Sequence, residues 1–153
     1  MRNHARNYSF SRAYGFSLIE VLIAVLILGF GLLGFALLQT MSVRFVQSAN
    51  YRTQATNLSY ELLDQIRINR VAASLYAGTY AATTDNCVPS TGAGITKDKF
   101  MLAWRCRLGL ALGDGANASV AKSGDVITVT VSWGDERWNP SGGTTSFSAS
   151  TRL

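Results

Sequence analysis

From Val21 to Leu38 the chain carries no charged or strongly polar residue. An unbroken apolar run of that length constrains folding more than any other feature of the sequence. Written as a helix rising about 1.5 Å per residue, Phe16 to Leu38 reaches roughly 34 Å, enough to cross a bilayer core of about 30 Å. Glu20 stands at the entry to this run. A carboxylate there costs on the order of a few kcal/mol, even on the lenient insertion scales. An anchor alone has no use for it, so Glu20 is the residue that needs an explanation.

Residues 1–15 are polar and basic, with Arg2, Arg6 and Arg12 and no acid before Glu20. The 153-residue chain has a formal net charge of +5 from 14 basic and 9 acidic residues. Three of the basic residues lie in this leader, which leaves 11 against 9, or +2, for the remainder. The basic balance therefore speaks for topology more than for nucleic acid, because basic flanks stay on the cytoplasmic side. The leader is expected inside and everything after Leu38 outside the cytoplasm. A cleaved secretory signal or a plain anchor is the ordinary account of a basic start followed by an apolar run. Against the signal, the run outlasts a usual signal core, and Ala36-Leu37-Leu38 is a poor cleavage site.

The stretch Gly15-Phe16-Ser17-Leu18-Ile19-Glu20-Val21 resembles the class III leader border of type IV pilins and pseudopilins. The resemblance implies that a prepilin peptidase cuts between Gly15 and Phe16 and that the new amine of Phe16 is methylated. Residues four apart share one helical face, so the amine of Phe16 and the carboxylate of Glu20 would be presented together. When such helices bundle, the amine of one subunit can meet the carboxylate of the next. Breaking a buried pair of this kind costs about 3–5 kcal/mol. Glu20 is then a register device for assembly; the alternative is that it snorkels to the headgroups.

The helical pattern continues past the apolar run, with no proline and no glycine between Gly34 and Gly78. Met41, Phe45, Ala49, Ala55, Leu58, Leu62, Ile66 and Ala73 recur at helical spacing, with Leu63 beside them. This spacing predicts one helix from about Phe16 to Leu75, roughly 90 Å long. Its halves are a transmembrane part, 16–38, and an amphipathic part, 39–75. Leu58, Leu62 and Ile66 are expected as core. Gly29, Gly31 and Gly34 do not make the GxxxG spacing, so a dedicated dimer seam has little support.

Residues 76–153 are expected to form a small exported α+β domain. Tyr76 to Thr96 is rich in Gly, Ala, Ser and Thr and reads as a loop. Residues 97–112 fit either a strand, by alternation, or a helix, by recurrence at four of Phe100, Trp104, Leu108 and Leu112. The helix is favoured, because Thr96 or Asp98 can cap its start and Gly113-Asp114-Gly115 can stop it. Ser119 to Lys122 is a short strand, and Val126 to Trp133 alternates, with Val or Trp set against Ile, Thr and Ser. Thr145 to Leu153 forms a last strand with Phe147 inward. An antiparallel sheet of three or four strands packed on the amphipathic helix gives an α+β, pilin-like lollipop. Trp104-Arg105-Cys106-Arg107-Leu108-Gly109, the Val-x-Val-x-Trp-Gly-Asp end of the long strand, and Tyr60 to Arg70 resemble the PilV-type minor pilins.

Cys87 and Cys106 both lie in the exported part, where an even count reads as one disulfide worth about 3 kcal/mol by loop entropy. No metal site is expected, since the cysteines lack a CxxC spacing and His4 is the only histidine. No cofactor, nucleophile elbow, P-loop or paired acid for catalysis stands out, so an enzyme is not expected. Arg105, Arg107, Lys97, Lys99 and Trp104 would have to converge to make a nucleic-acid or surface patch, and nucleic acid is not expected as a partner. Asp135-Glu136 reads as a solvated loop pair.

The resemblance implies an inner-membrane, single-pass precursor with its C-terminal domain in the periplasm. After trimming it would join other minor pilins and the major pilin through its N-terminal helix and prime a type IV pilus, with no small-molecule substrate. A minor pseudopilin of a type II secretion system, or a DNA- or surface-binding minor pilin, are the alternatives.

Overall fold

The computed structural model describes residues 15–85, 87, 96–135 and 143–153. The chain divides into two compact units, residues 1–42 and 43–153. Helix α1 spans Leu18–Ile68. It is followed by a 3-10 helix at Arg70–Tyr76, β1 at Gly78–Ala81, α2 at Lys97–Leu112, β2 at Asn117–Ser123, β3 at Val126–Gly134 and β4 at Thr144–Arg152.

In the first unit α1 is apolar all round. Its most apolar 18-residue stretch has a mean hydropathy of 2.9, and none of that stretch is buried. A helix of this kind is stable only where its whole circumference meets an apolar medium or other apolar helices. Adding a Cβ at Gly29, Gly31 or Gly34 meets nothing within 4 Å.

In the second unit α1 packs on a four-stranded antiparallel sheet in the order β1-β2-β3-β4. The two share one core. The helix contributes Ala55, Leu58, Ser59, Leu62, Leu63 and Ile66, all buried. The sheet contributes Ala118 and Val120 from β2, and Ile127, Val129, Val131 and Trp133 from β3. The stripe begins later than the spacing suggests: Met41 and Phe45 are exposed, and the first fully buried position is Ala55. Ser59 is buried without penalty because its hydroxyl donates to Ala55 O at 2.8 Å.

The helix ends at Ile68, not Leu75. The Asn69 amide side chain donates to Gln65 O at 3.1 Å, and its backbone sits at φ −103°, ψ 42°. An asparagine side chain that binds the helix's own carbonyls offers the backbone an exit. The tighter 3-10 turn that follows brings Ala73 and Tyr76 into the core and leaves Val71 and Leu75 exposed.

Residues 78–81, taken as loop from their composition, form β1. Its register is Gly78 opposite Val120 and Ala81 opposite Asn117. Four residues, with Tyr80 as their one large side chain, carry too little alternation to announce a strand; β2 supplies the partner that makes them one. The rest of the expected loop, residues 86 and 88–95, lies outside the described residues. Ile127 also falls on the other face than its pairing with Thr and Ser suggested. It is fully buried beside Val129 and Val131, while Val126 faces outward.

Residues 97–112 are helical. The Thr96 hydroxyl accepts from Lys99 N at 3.4 Å, and Gly113, at φ 90°, closes the other end. Trp104 is wholly buried, and its Nε1 donates to Leu58 O at 3.0 Å, which fastens α2 to α1. Residues 81–85 and Cys87 are strapped across α2. Thr83 N donates to Arg105 O at 3.3 Å, Arg105 Nε donates to Ala81 O at 2.7 Å, and Cys87 is bonded to Cys106 with their Cα atoms 5.6 Å apart. The strap lies so close that a Cβ on Gly109 would stand 2.4 Å from Thr83 O, so this position admits glycine alone.

Candidate functional site

The N-terminal border is built around the start of α1. Gly15, Phe16 and Ser17 precede the helix. Ser17 O accepts from Glu20 N at 3.1 Å and from Val21 N at 3.3 Å, and among the described residues is the first carbonyl drawn into the helical ladder. The Ser17 hydroxyl accepts from Glu20 N at 3.2 Å. This is the N-cap arrangement: a short hydroxyl side chain satisfies an amide that the first turn would otherwise leave unpaired. With Glu20 three residues on, Ser17 opens the Ser-x-x-Glu pattern of a capping box. Reading the sequence for Glu20 alone overlooks Ser17. The Ser-x-x-Glu spacing ahead of an apolar run is the signal that finds it.

The helix therefore starts at Leu18, two residues later than the apolar pattern indicates. Phe16 stands outside it and is 82% exposed. Phe16, Glu20, Ala24 and Leu28 nevertheless line one side together with Val21 and Val25. Glu20 is the sole acid in the first turn of α1, where the unpaired amides of a helix N-terminus favour a negative charge. What this face can do chemically is limited. It offers one carboxylate, a peptide bond at Gly15-Phe16 lying outside the helix, and a wide apolar surface that no described residue covers.

In the second unit Leu58, Leu62 and Ile66 are buried, with exposures of 6%, 0% and 0%. The basic residues of α2 do not converge. At 3.6 residues per turn, positions 97, 99, 105 and 107 spread around the helix rather than forming a stripe. Three of them are occupied locally. Lys97 Nζ donates to Leu75 O at 3.0 Å, Arg105 holds Ala81 O, and Arg107 pairs with Glu61 and lies over the Phe100 ring, 5.9 Å from its centroid. Trp104, buried, offers no stacking face. Asp135 is not a freely solvated loop acid: its Oδ2 accepts from the Ser48 hydroxyl at 2.7 Å. Its Oδ1 and Trp133 Nε1 are buried without a partner among the described residues. Glu136 lies outside the described residues.

Burial, with smaller contributions from Tyr76 and Asp98, pushes the Tyr80 phenol above its ordinary value. It stays protonated at neutral pH and donates to Tyr76 O at 2.8 Å. That is a structural bond from β1 back to the end of the preceding 3-10 helix. Among the described residues no group of three or more His, Cys, Asp or Glu is placed to hold a metal ion.

Residues 10–36 match the family model described as the prokaryotic N-terminal methylation motif. The matched span holds the Gly15-Phe16 border, Ser17, Glu20 and most of the apolar run. No curated protein and no solved structure matches the chain.

Proposed function

We infer that this chain is a type IV pilin-like protein, processed by a prepilin peptidase and anchored in a membrane by its apolar helix, because residues 10–36 match the N-terminal methylation motif and the helix behind it is long and apolar enough to cross a membrane. We propose that it is a minor pilin of a type IV pilus. Residues 1–15 are removed, Phe16 becomes the first residue and is N-methylated, and the trimmed chain joins other minor pilins and the major pilin to prime filament growth. Before assembly it resides in the bacterial inner membrane, crossing once through residues 16–38, with residues 76–153 in the periplasm. Its role is structural rather than catalytic.

The observation that carries this reading is the Gly15-Phe16 border placed just before a helix whose apolar first part, through Leu38, carries Glu20 as its single charged residue. Two further features support a minor pilin of the PilV type. The Trp104 to Gly109 stretch builds the α2 strap, with Trp104 and Leu108 in the core, Cys106 in the disulfide and Gly109 under Thr83. The Val129-x-Val131-x-Trp133-Gly134-Asp135 stretch supplies the core of β3 and the Ser48 contact. A minor pseudopilin of a type II secretion system would share the leader, the helix and the sheet. A DNA- or surface-binding role loses its support, because the α2 cations are dispersed and Trp104 is buried.

Deleting the gene in its host and scoring two phenotypes separates these readings. Loss of surface pili and twitching with exoprotein secretion intact is expected. Loss of secretion with pili intact would instead identify a pseudopilin, and no change in either would overturn the assembly role.

A further inference from the structure

The helix start at Leu18, rather than at the leader border, bears on how the leader is removed. Hydrolysis of the Gly15-Phe16 bond adds water to the carbonyl carbon of Gly15. The bond to Phe16 nitrogen breaks, leaving a carboxylate on Gly15 and, with the proton, an amine on Phe16. The carbonyl attacked must be open. Among the described residues no amide bonds it: the helical ladder begins at Ser17 O, two residues further on, and the Ser17 hydroxyl holds that boundary through Glu20 N.

The competing arrangement is defined by the sequence. Glycine is itself an acceptable N-cap, and Gly15 is the next such residue upstream. If residue 17 turned helical, the cap would move to Gly15, and its carbonyl would accept from Ile19 N, four residues on. The scissile carbonyl would then be the first acceptor of the helix, bonded and turned along the axis. Alanine at position 17 favours this shift twice, because it has the highest helix propensity and no capping oxygen.

We propose that Ser17 is a positioning residue for leader removal: its cap fixes the helix start at Leu18 and so keeps the Gly15 carbonyl out of the helical ladder for the peptidase. This rests on the pilin-like processing proposed above. Its chemistry lies in the substrate chain, and it assigns Ser17 no contact with the enzyme.

The test uses the full-length precursor in detergent micelles with purified prepilin peptidase. The measurements are kcat/KM for release of residues 1–15, together with hydrogen exchange at the Ile19 amide. Ser17→Ala is expected to lower kcat/KM by about fivefold, the typical weight of one cap. It is also expected to protect the Ile19 amide, which finds no acceptor among the described residues of the wild type. Ser17→Thr and Ser17→Asn retain a capping oxygen and are expected to stay within about twofold of wild type on both measures. Equal cleavage of the alanine variant would overturn the proposal. So would equal slowing of all three variants, which would mean that the peptidase reads the serine itself. If the wild-type chain is not cut at Gly15-Phe16 at all, it is the processing assignment that fails.

Discussion

Trp104→Ala is expected to destabilise the 43–153 unit by about 3–5 kcal/mol, the range for emptying a large aromatic site in a core. Trp104 is wholly buried, and it is the α2 residue that bonds to Leu58 of α1. Loss of the ring leaves a cavity in the shared core that the surrounding side chains can fill only in part. At the usual scaling for a domain near this size, the melting midpoint should fall by at least about 10 °C. Trp104→Phe separates the contributions. It keeps most of the volume and gives up the bond to Leu58 O, so a smaller loss of about 1–2 kcal/mol is expected. Thermal melts of the full-length chain in micelles, followed by near-UV circular dichroism, give both values. A Trp104→Ala midpoint within about 2 °C of wild type would mean that α2 is not fastened to α1 in the way described.

The second large effect falls on assembly. Glu20→Gln preserves size, and the amide of residue 20 can still donate to Ser17, so the helix start and leader cleavage should survive. What is lost is the charge. If the carboxylate of one subunit meets the Phe16 amine of another inside the filament, removing it strands that amine in an apolar bundle at a cost of about 3–5 kcal/mol. The expected result is at least a hundredfold less of the chain in sheared filaments, with normal amounts of trimmed protein in the membrane. Wild-type levels of the glutamine variant in filaments would leave Glu20 as a local capping residue with no part in register.

The sequence made the first quarter of the chain legible because its constraints are local. An uncharged run, a lone acid and a Gly-Phe border need no tertiary partner to be read. The antiparallel sheet was legible where alternation was long, as in β3, and the helical reading of residues 97–112 rested on Thr96 and Gly113, residues whose chemistry is local too. What escaped depended on context. Asn69 ends α1 by turning its side chain back onto Gln65 O, and nothing in the spacing of Leu62, Ile66 and Ala73 reveals that turn. β1 exists because β2 offers it an edge. Asp135 looked solvated because Ser48, its partner, is 87 residues away in sequence. Ser17 is the instructive miss. Its pattern was local and present, but the charge of Glu20 drew the explanation onto a different property of the same turn.

The most direct test of the account is the intact mass and N-terminal sequence of this protein, isolated from cells with and without a prepilin peptidase. The account predicts a chain that begins at Phe16 and carries one added methyl group when the peptidase is present, and a chain that keeps residues 1–15 when it is absent. A chain that retains its leader in both strains, or that begins beyond Leu38, would contradict it.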